Sequence, residues 1–224
     1  MANTIAICGT SGDGKSTAAR TLDPKTTVYI NADGKTLPFK ESKFYTLANK
    51  NYIETSKLDM INKVLNEINN RTEVKDVIID TANGIMLDIE MSNNFRNRKA
   101  GGEAMTKWMD LAAEIYDLIL KCNSLKKDLN IFVMFHTTNY TDVNGLEKKC
   151  IVTNGRKLEK IHLESKFPIV LFTHVKYGAE GKNEYFFETQ ASSSTGKSPM
   201  GMFDSFLIPN DLKLVSDKVR EYYN

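Results

Sequence analysis

Two hydrophobic patterns alternate along the chain. Short apolar runs at Thr4 to Cys8, Thr27 to Asn31, Val77 to Asp80 and Asn130 to Phe135 have the length and composition of strands covered on both faces. Between them, apolar residues recur at spacings of three and four. Leu58, Ile61, Val64, Leu65 and Ile68 predict a helix from a Ser56 cap to Asn69; Met105, Trp108, Met109, Ala112, Ile115, Tyr116 and Ile119 predict a longer amphipathic one. Ile169 to Tyr177 and Glu184 to Thr189 read as an antiparallel hairpin about the turn Gly178-Ala179-Glu180-Gly181-Lys182. After Ile208-Pro209, Asn210 or Asp211 can cap a closing helix to Tyr222. The alternation predicts an α/β fold with a mostly parallel central sheet, flanking helices and a C-terminal antiparallel hairpin.

Three stretches break the pattern. Glu90 to Gly102 has neither period and holds Arg96, Arg98 and Lys99 around Phe95, which predicts a basic loop. Thr137 to Lys166 has hairpin-type turns at Asn144-Gly145 and Asn154-Gly155, and its Lys148, Lys149, Arg156, Lys157, Lys160 and Lys166 outnumber its acids. Ser192 to Ser198 is small and polar, and is expected to be mobile.

The first strand runs straight into Gly9-Thr10-Ser11-Gly12-Asp13-Gly14-Lys15-Ser16-Thr17, which satisfies the pattern G-x-x-x-x-G-K-[ST]. In such a P-loop, backbone N–H groups wrap a polyphosphate, the lysine reaches the β- and γ-phosphates, and the hydroxyl ligates Mg²⁺. A helix over Lys15 to Leu22 is expected to point its N-terminus at the anion. Residues 9 to 17 are therefore the nucleotide-binding candidates, with Lys15 and Ser16 on the phosphates and the metal. Gly196-Lys197-Ser198 is not a second P-loop: Ala191 stands where the earlier glycine is needed, and Pro199 spoils the helix start.

Composition narrows the rest. With 41% hydrophobic and 26% charged residues in 224, the chain has the makings of one folded domain over residues 1–224, with no repeat or linker. No apolar run approaches 18 residues, so no membrane span or membrane partner is expected. The P-loop begins at residue 9, leaving no room for a leader before the first strand, and a cytoplasmic location is expected. Cys8, Cys122 and Cys150 are odd in number and lack C-x-x-C spacing, which speaks against a disulfide framework or a zinc site. A net charge of +2 says little about partners; its distribution into two basic segments says more.

Acids and a histidine close the successive strands: Asp33 after the second, Asp80 at the end of the third and His136 after the fourth. That order resembles the RecA-like ATPases. Val28-Tyr29-Ile30-Asn31-Ala32-Asp33 is similar to the strand whose terminal acid polarises the attacking water. Val77-Ile78-Ile79-Asp80-Thr81 is similar to the Walker B strand, and Phe132-Val133-Met134-Phe135-His136 to the strand ending in a γ-phosphate sensor. With Gly196-Lys197-Ser198-Pro199-Met200-Gly201-Met202-Phe203, the chain looks most like the compact phage-encoded RecA-like ATPases of single-strand annealing and recombination. The resemblance covers most of residues 3 to 209.

The resemblance implies a RecA-like P-loop core using ATP and Mg²⁺, with Ser16 and Asp80 at the metal. Lys15, Asp33, Asp80, His136 and Lys197 form its catalytic set, Lys197 acting from a neighbouring subunit. RecA proper has glutamate where this chain has Asp33, which implies slower hydrolysis. Arg96, Arg98, Lys99, Lys148, Lys149, Arg156, Lys157 and Lys160 fall where such proteins contact single-stranded DNA, with Phe95 or Tyr140 stacking on bases. Implied partners are single-stranded DNA, further copies of the chain in a ring or filament, and a single-strand DNA-binding protein; the location is the bacterial host cytoplasm if the chain is phage-encoded. Two other readings remain open from the residues: a small-molecule or nucleotide kinase whose basic segments form a lid, and a nucleotide-gated adaptor with negligible turnover.

Overall fold

The structure, a computed structural model, describes residues 1–99, 101–178 and 181–223. Ten strands and six α-helices are described: β1 Asn3–Cys8, β2 Thr27–Asn31, β3 Tyr52–Glu54, α1 Leu58–Asn69, β4 Asp76–Asp80, α2 Ala82–Met91, α3 Asn93–Asn97, α4 Gly101–Ser124, β5 Asn130–Phe135, β6 Thr137–Thr141, β7 Glu147–Ile151, α5 Arg156–Ile161, β8 Ile169–Lys176, β9 Glu184–Glu188, β10 Leu207–Pro209 and α6 Leu212–Tyr223. Eight of the strands form one sheet in the order β10-β9-β8-β1-β5-β4-β2-β3. From β8 to β3 every pairing is parallel, while β9 and β10 add antiparallel at the other edge. This is a mostly parallel α/β sheet with a C-terminal antiparallel hairpin. β6 and β7 form a separate antiparallel ribbon.

The unbroken apolar runs are explained by burial on both faces. Ala6, Cys8, Ile30, Ile79, Val133 and Phe135 face α1, α2, α4 and α5. Ile5, Ile7, Tyr29, Ile78, Phe132 and Met134 face the segment after the P-loop, Tyr45 and α6. Because the strands are parallel and nearly in register, with Cys8 opposite Phe135, Ile79 opposite Val133 and Asn31 opposite Asp80, their C-terminal ends bring the P-loop, Asp33, Asp80 and His136 to one edge of the sheet.

Several local expectations are corrected. The stretch after the P-loop is a six-residue 3-10 helix, Ser16–Thr21, rather than an α-helix to Leu22; Pro24 follows closely and biases the chain before it out of the helical region. α1 starts after Lys57, with no side-chain cap, so Ser56 is not its cap. The supposed basic loop is largely helical: α2 runs to Met91, Ser92 caps α3 by accepting from the Phe95 N–H at 3.2 Å, and α4 begins at Gly101. Phe95 is buried edge-on against Trp108, with ring centroids 4.9 Å apart, so it is a core residue and not a base-stacking one.

Asn144-Gly145 does turn the β6–β7 ribbon, but Asn154-Gly155 makes no hairpin. Gly155 is the N-cap of α5 at φ +87, pressed so close to Trp108 that a Cβ would lie 2.5 Å from the indole Cε3. The stretch 192–198 is strapped down rather than mobile. Ser194 is buried and donates to Glu188 at 2.9 Å, the Thr195 N–H donates to Lys149 O at 3.0 Å, and Ser198 donates to Thr189 O at 2.8 Å. In the β8–β9 connection, residues 179 and 180 of the expected turn lie outside the described residues. Among the described residues, no helix is long and apolar enough to cross a membrane.

Candidate functional site

The P-loop is built by close packing. Gly9 follows β1, its N–H bonded to Phe135 O at 3.1 Å, and a Cβ there would lie 1.9 Å from Thr173 Oγ1 on β8. Only glycine fits between the two strands. Asp13 then closes the loop, accepting from the Thr10 N–H at 3.1 Å and from the Thr10 hydroxyl at 2.6 Å. Gly12 and Gly14 take φ values of +89 and +88, conformations that other residues adopt only under strain. Ser11, Gly12, Gly14, Lys15, Ser16 and Thr17 line one side of a cavity of about 270 Å³; Asp33, Lys35, Asp80, Thr81 and His136 line the other.

The residues fit a Mg-nucleotide. Lys15 is 6% exposed, donates to Gly9 O and Thr10 O, both at 2.8 Å, and makes no salt bridge among the described residues. Burial lowers its pKa from 10.5, against the pull of Asp80 and Asp13. A buried ammonium facing only carbonyls is under-compensated, and a phosphate oxygen supplies the missing anion. Ser16 donates to Asp80 Oδ2 at 2.6 Å, placing two hard oxygen groups together as Mg²⁺ requires. Burial raises the Asp80 pKa, partly offset by hydrogen bonds from Ser16 and Tyr29. The 3-10 geometry after Lys15 leaves the loop amides, rather than an α-helix dipole, as the anion-binding element.

Asp33 is not the residue that closes its turn. Asn31 does that, accepting from the Gly34 N–H at 3.1 Å. The Asp33 carboxylate instead accepts from Thr81 at 2.8 Å and pairs with Lys35 at 3.2 Å. Burial pushes its pKa up, but hydrogen bonds from Thr81 and Lys35 outweigh this and leave it below the ordinary value. His136 faces the same cavity; burial and then the Lys15 charge lower its pKa below 6.5. Asn83 ties its backbone down, accepting from the His136 N–H at 2.7 Å and donating to Val152 O at 3.0 Å. The Val152 N–H donates back to His136 O at 2.9 Å, so the cavity is linked directly to the segment that enters α5.

Lys197 lies apart from this group. Its backbone pairs with Val170 on β8 through bonds of 2.8 and 2.9 Å, and it does not line the P-loop cavity. The basic residues divide into two classes. Arg98 pairs with Asp110 at 2.6 Å and Lys148 with Asp142 at 3.0 Å; Arg96 reaches only Asn93. Lys99, Lys149, Arg156, Lys157 and Lys160 make no salt bridge among the described residues, though the Lys149 backbone holds the strap at 193–195. Arg156, Lys157 and Lys160 border a groove floored by Met105, Trp108 and Met109 of α4. Tyr140 is 39% exposed on the ribbon.

Four residues that sequence reasoning left unassigned belong to the site. Tyr29 donates to Asp80 at 2.5 Å, and Thr81 both donates to Asp33 and caps α2 by accepting from the Gly84 N–H at 3.1 Å. Lys35 pairs with Asp33, and Asn83 makes the link described above. The cap before Ile85, Met86 and Ile89 at helical spacing was a readable signal for α2. The cross-strand contacts had none.

Residues 1–199 match the family model AAA_24, described as an AAA domain. No curated protein matches the chain in sequence. Among solved structures, the chain is similar to a KaiC-like protein from the hyperthermophilic archaeon Pyrococcus horikoshii OT3, at 10% identity and a TM-score of 0.43, over 83% of this chain and 76% of that one.

Proposed function

The chain belongs to the AAA domain family as a P-loop ATPase, and from that premise we propose that it hydrolyses Mg-ATP in a cycle coupled to single-stranded DNA. The observation that carries the DNA reading is the cluster Arg156, Lys157 and Lys160. These cations stand exposed beside an apolar groove and make no salt bridge among the described residues. Their charge suits a polyanion, and a floor of one tryptophan and two methionines suits the flat faces of bases.

A Mg²⁺ ion bound with the nucleotide would supply charge neutralisation for phosphoryl transfer. The chain supplies the rest. Ser16 and Asp80 would hold the metal, while Lys15 would exchange its carbonyl partners for phosphate oxygens. Asp33, kept ionised by Thr81 and Lys35, accepts a hydrogen bond from the attacking water and orients it. His136, neutral at pH 7, offers a ring N–H to the γ-phosphate. Lys197, lying outside its own cavity, acts on a neighbouring copy in a ring or filament. Asn83 carries the nucleotide state from His136 through Val152 to α5. On this reading the chain supports strand annealing or recombination, with a single-strand DNA-binding protein as a further partner.

The test is turnover of Mg-ATP with and without single-stranded DNA. Stimulation that disappears in an Arg156→Ala, Lys157→Ala, Lys160→Ala triple variant with basal turnover intact supports the reading. Phosphorylation of a small acceptor without any DNA effect would point to a kinase instead, and negligible turnover under all conditions to an adaptor.

A further inference from the structure

We propose that Tyr29 is a positioning residue for the Mg²⁺ site, its hydroxyl holding the Asp80 carboxylate where Ser16 meets it. This rests on the Mg-nucleotide reading of the P-loop cavity. Tyr29 lies in the middle of β2, fully buried, on the sheet face that carries Ala18, Ala19 and Leu22. It is paired with Ile78 of β4, so Asp80 is its diagonal neighbour two residues on, within reach of an aromatic side chain. The hydroxyl donates to Asp80 Oδ2 at 2.5 Å, and Ser16 donates to the same oxygen at 2.6 Å.

Among the described residues, no other side chain donates to that carboxylate, since Lys15 is engaged by the Gly9 and Thr10 carbonyls. When Ser16 turns its oxygen to a metal ion, Tyr29 is the protein donor left to hold Asp80 in place. Its ring is itself held by Tyr45 and Phe39, at centroid distances of 5.8 and 6.4 Å. The carboxylate is thus oriented by a rigid aromatic cluster rather than by a mobile side chain. Partners of this kind, one step behind the ligands, tune metal affinity by about 10- to 100-fold.

The test is Tyr29→Phe, which keeps the ring and removes the hydroxyl. Calorimetric titration with ATP is carried out at a series of Mg²⁺ concentrations and in EDTA. The Mg²⁺ concentration for half-maximal enhancement of ATP binding should rise about tenfold, while affinity in EDTA stays within about twofold of wild type. In an Asp80→Asn background, the same substitution should move the Mg²⁺ dependence no further. An unchanged Mg²⁺ dependence in folded Tyr29→Phe overturns the inference. So does an equal loss with and without Mg²⁺, which marks a packing role. A wild-type protein that binds ATP with no Mg²⁺ effect instead overturns the Mg-nucleotide reading beneath it. Should the variant fail to fold, wild-type protein carrying ζ-¹³C-tyrosine gives a second readout. The Tyr29 resonance, assigned by replacing each other tyrosine in turn, should shift when Mg²⁺ is added to the ATP complex; no shift overturns the inference.

Discussion

Gly9 illustrates how much a single position is asked to do. A methyl group there meets Thr173 Oγ1 at 1.9 Å and Thr173 Cβ at 3.0 Å, inside two adjacent parallel strands that have little freedom to part. Gly9→Ala should destabilise the fold by about 1–3 kcal/mol, the usual range for overpacking. Thr173→Ala in the same chain should recover part of that loss, a non-additivity visible in denaturant unfolding. Lys15→Ala tests the other face of the loop: with β1 and the turn intact, Mg-ATP turnover should fall by about 10²- to 10³-fold, as when a single preorganised donor is removed. His136 carries a pH signature. Its lowered pKa means that the unfolded chain binds the proton more tightly, so its contribution to stability is full above 6.5 and is lost as pH falls through that value towards the folded pKa. The melting temperature of His136→Gln relative to wild type should therefore rise as the pH is lowered from 7.

At the scale of elements, α5 and α6 make separable predictions. The salt dependence of DNA binding should flatten by about two units when Arg156, Lys157 and Lys160 are all neutralised, since each contact to a single strand releases roughly 0.7 counterion. Neutralising Arg98 and Lys148 should change the slope by less than one unit, because Asp110 and Asp142 already hold those cations. Equal effects from the two sets would show that the internal pairing is irrelevant to DNA contact. α6 is fixed to the lower end of the sheet by a buried cluster. Arg220 donates to Asp76 at 2.8 Å and to Lys75 O at 2.8 Å, while Ser216 donates to Asp76 at 2.5 Å and accepts from Asn130 at 2.9 Å. Burial raises the Asp76 pKa, with Arg220 opposing it. Removing Arg220 leaves a buried carboxylate short of its charge partner, and Arg220→Ala should cost about 3–5 kcal/mol in denaturant unfolding.

At the scale of the whole molecule, the position of Lys197 bears on assembly. Its backbone is pinned to Val170 rather than carried on a loose loop, and the proposed role at the phosphates requires a second copy brought against that face. Mixing Lys197→Ala subunits with Lys15→Ala subunits should restore DNA-stimulated turnover above the sum of the separate variants. A mixture no more active than that sum, with mixed assembly confirmed, would remove Lys197 from the site. The same scale explains which parts of the chain were legible in advance. Apolar runs identified β1, β2, β4, β5 and β8, and the P-loop with its strand-end Asp33, Asp80 and His136 followed from local order. That is information carried by neighbours in sequence: a strand buried on both faces must be apolar along its length, and a phosphate-wrapping turn must place glycines at set intervals. Sequence neighbours could not reveal which strand lies beside which. The hydroxyl of Tyr29 finds Asp80, Thr81 finds Asp33 and Asn83 bridges His136 to Val152 only because β4 is seated between β2 and β5. Likewise Phe95 is a core residue because α4 brings Trp108 to it, and the strap at 192–198 is held because Glu188 and Lys149 reach it. The chain's own residues determined the strands and the phosphate loop, whereas packing between distant segments decided which polar side chains were buried, and with which partners.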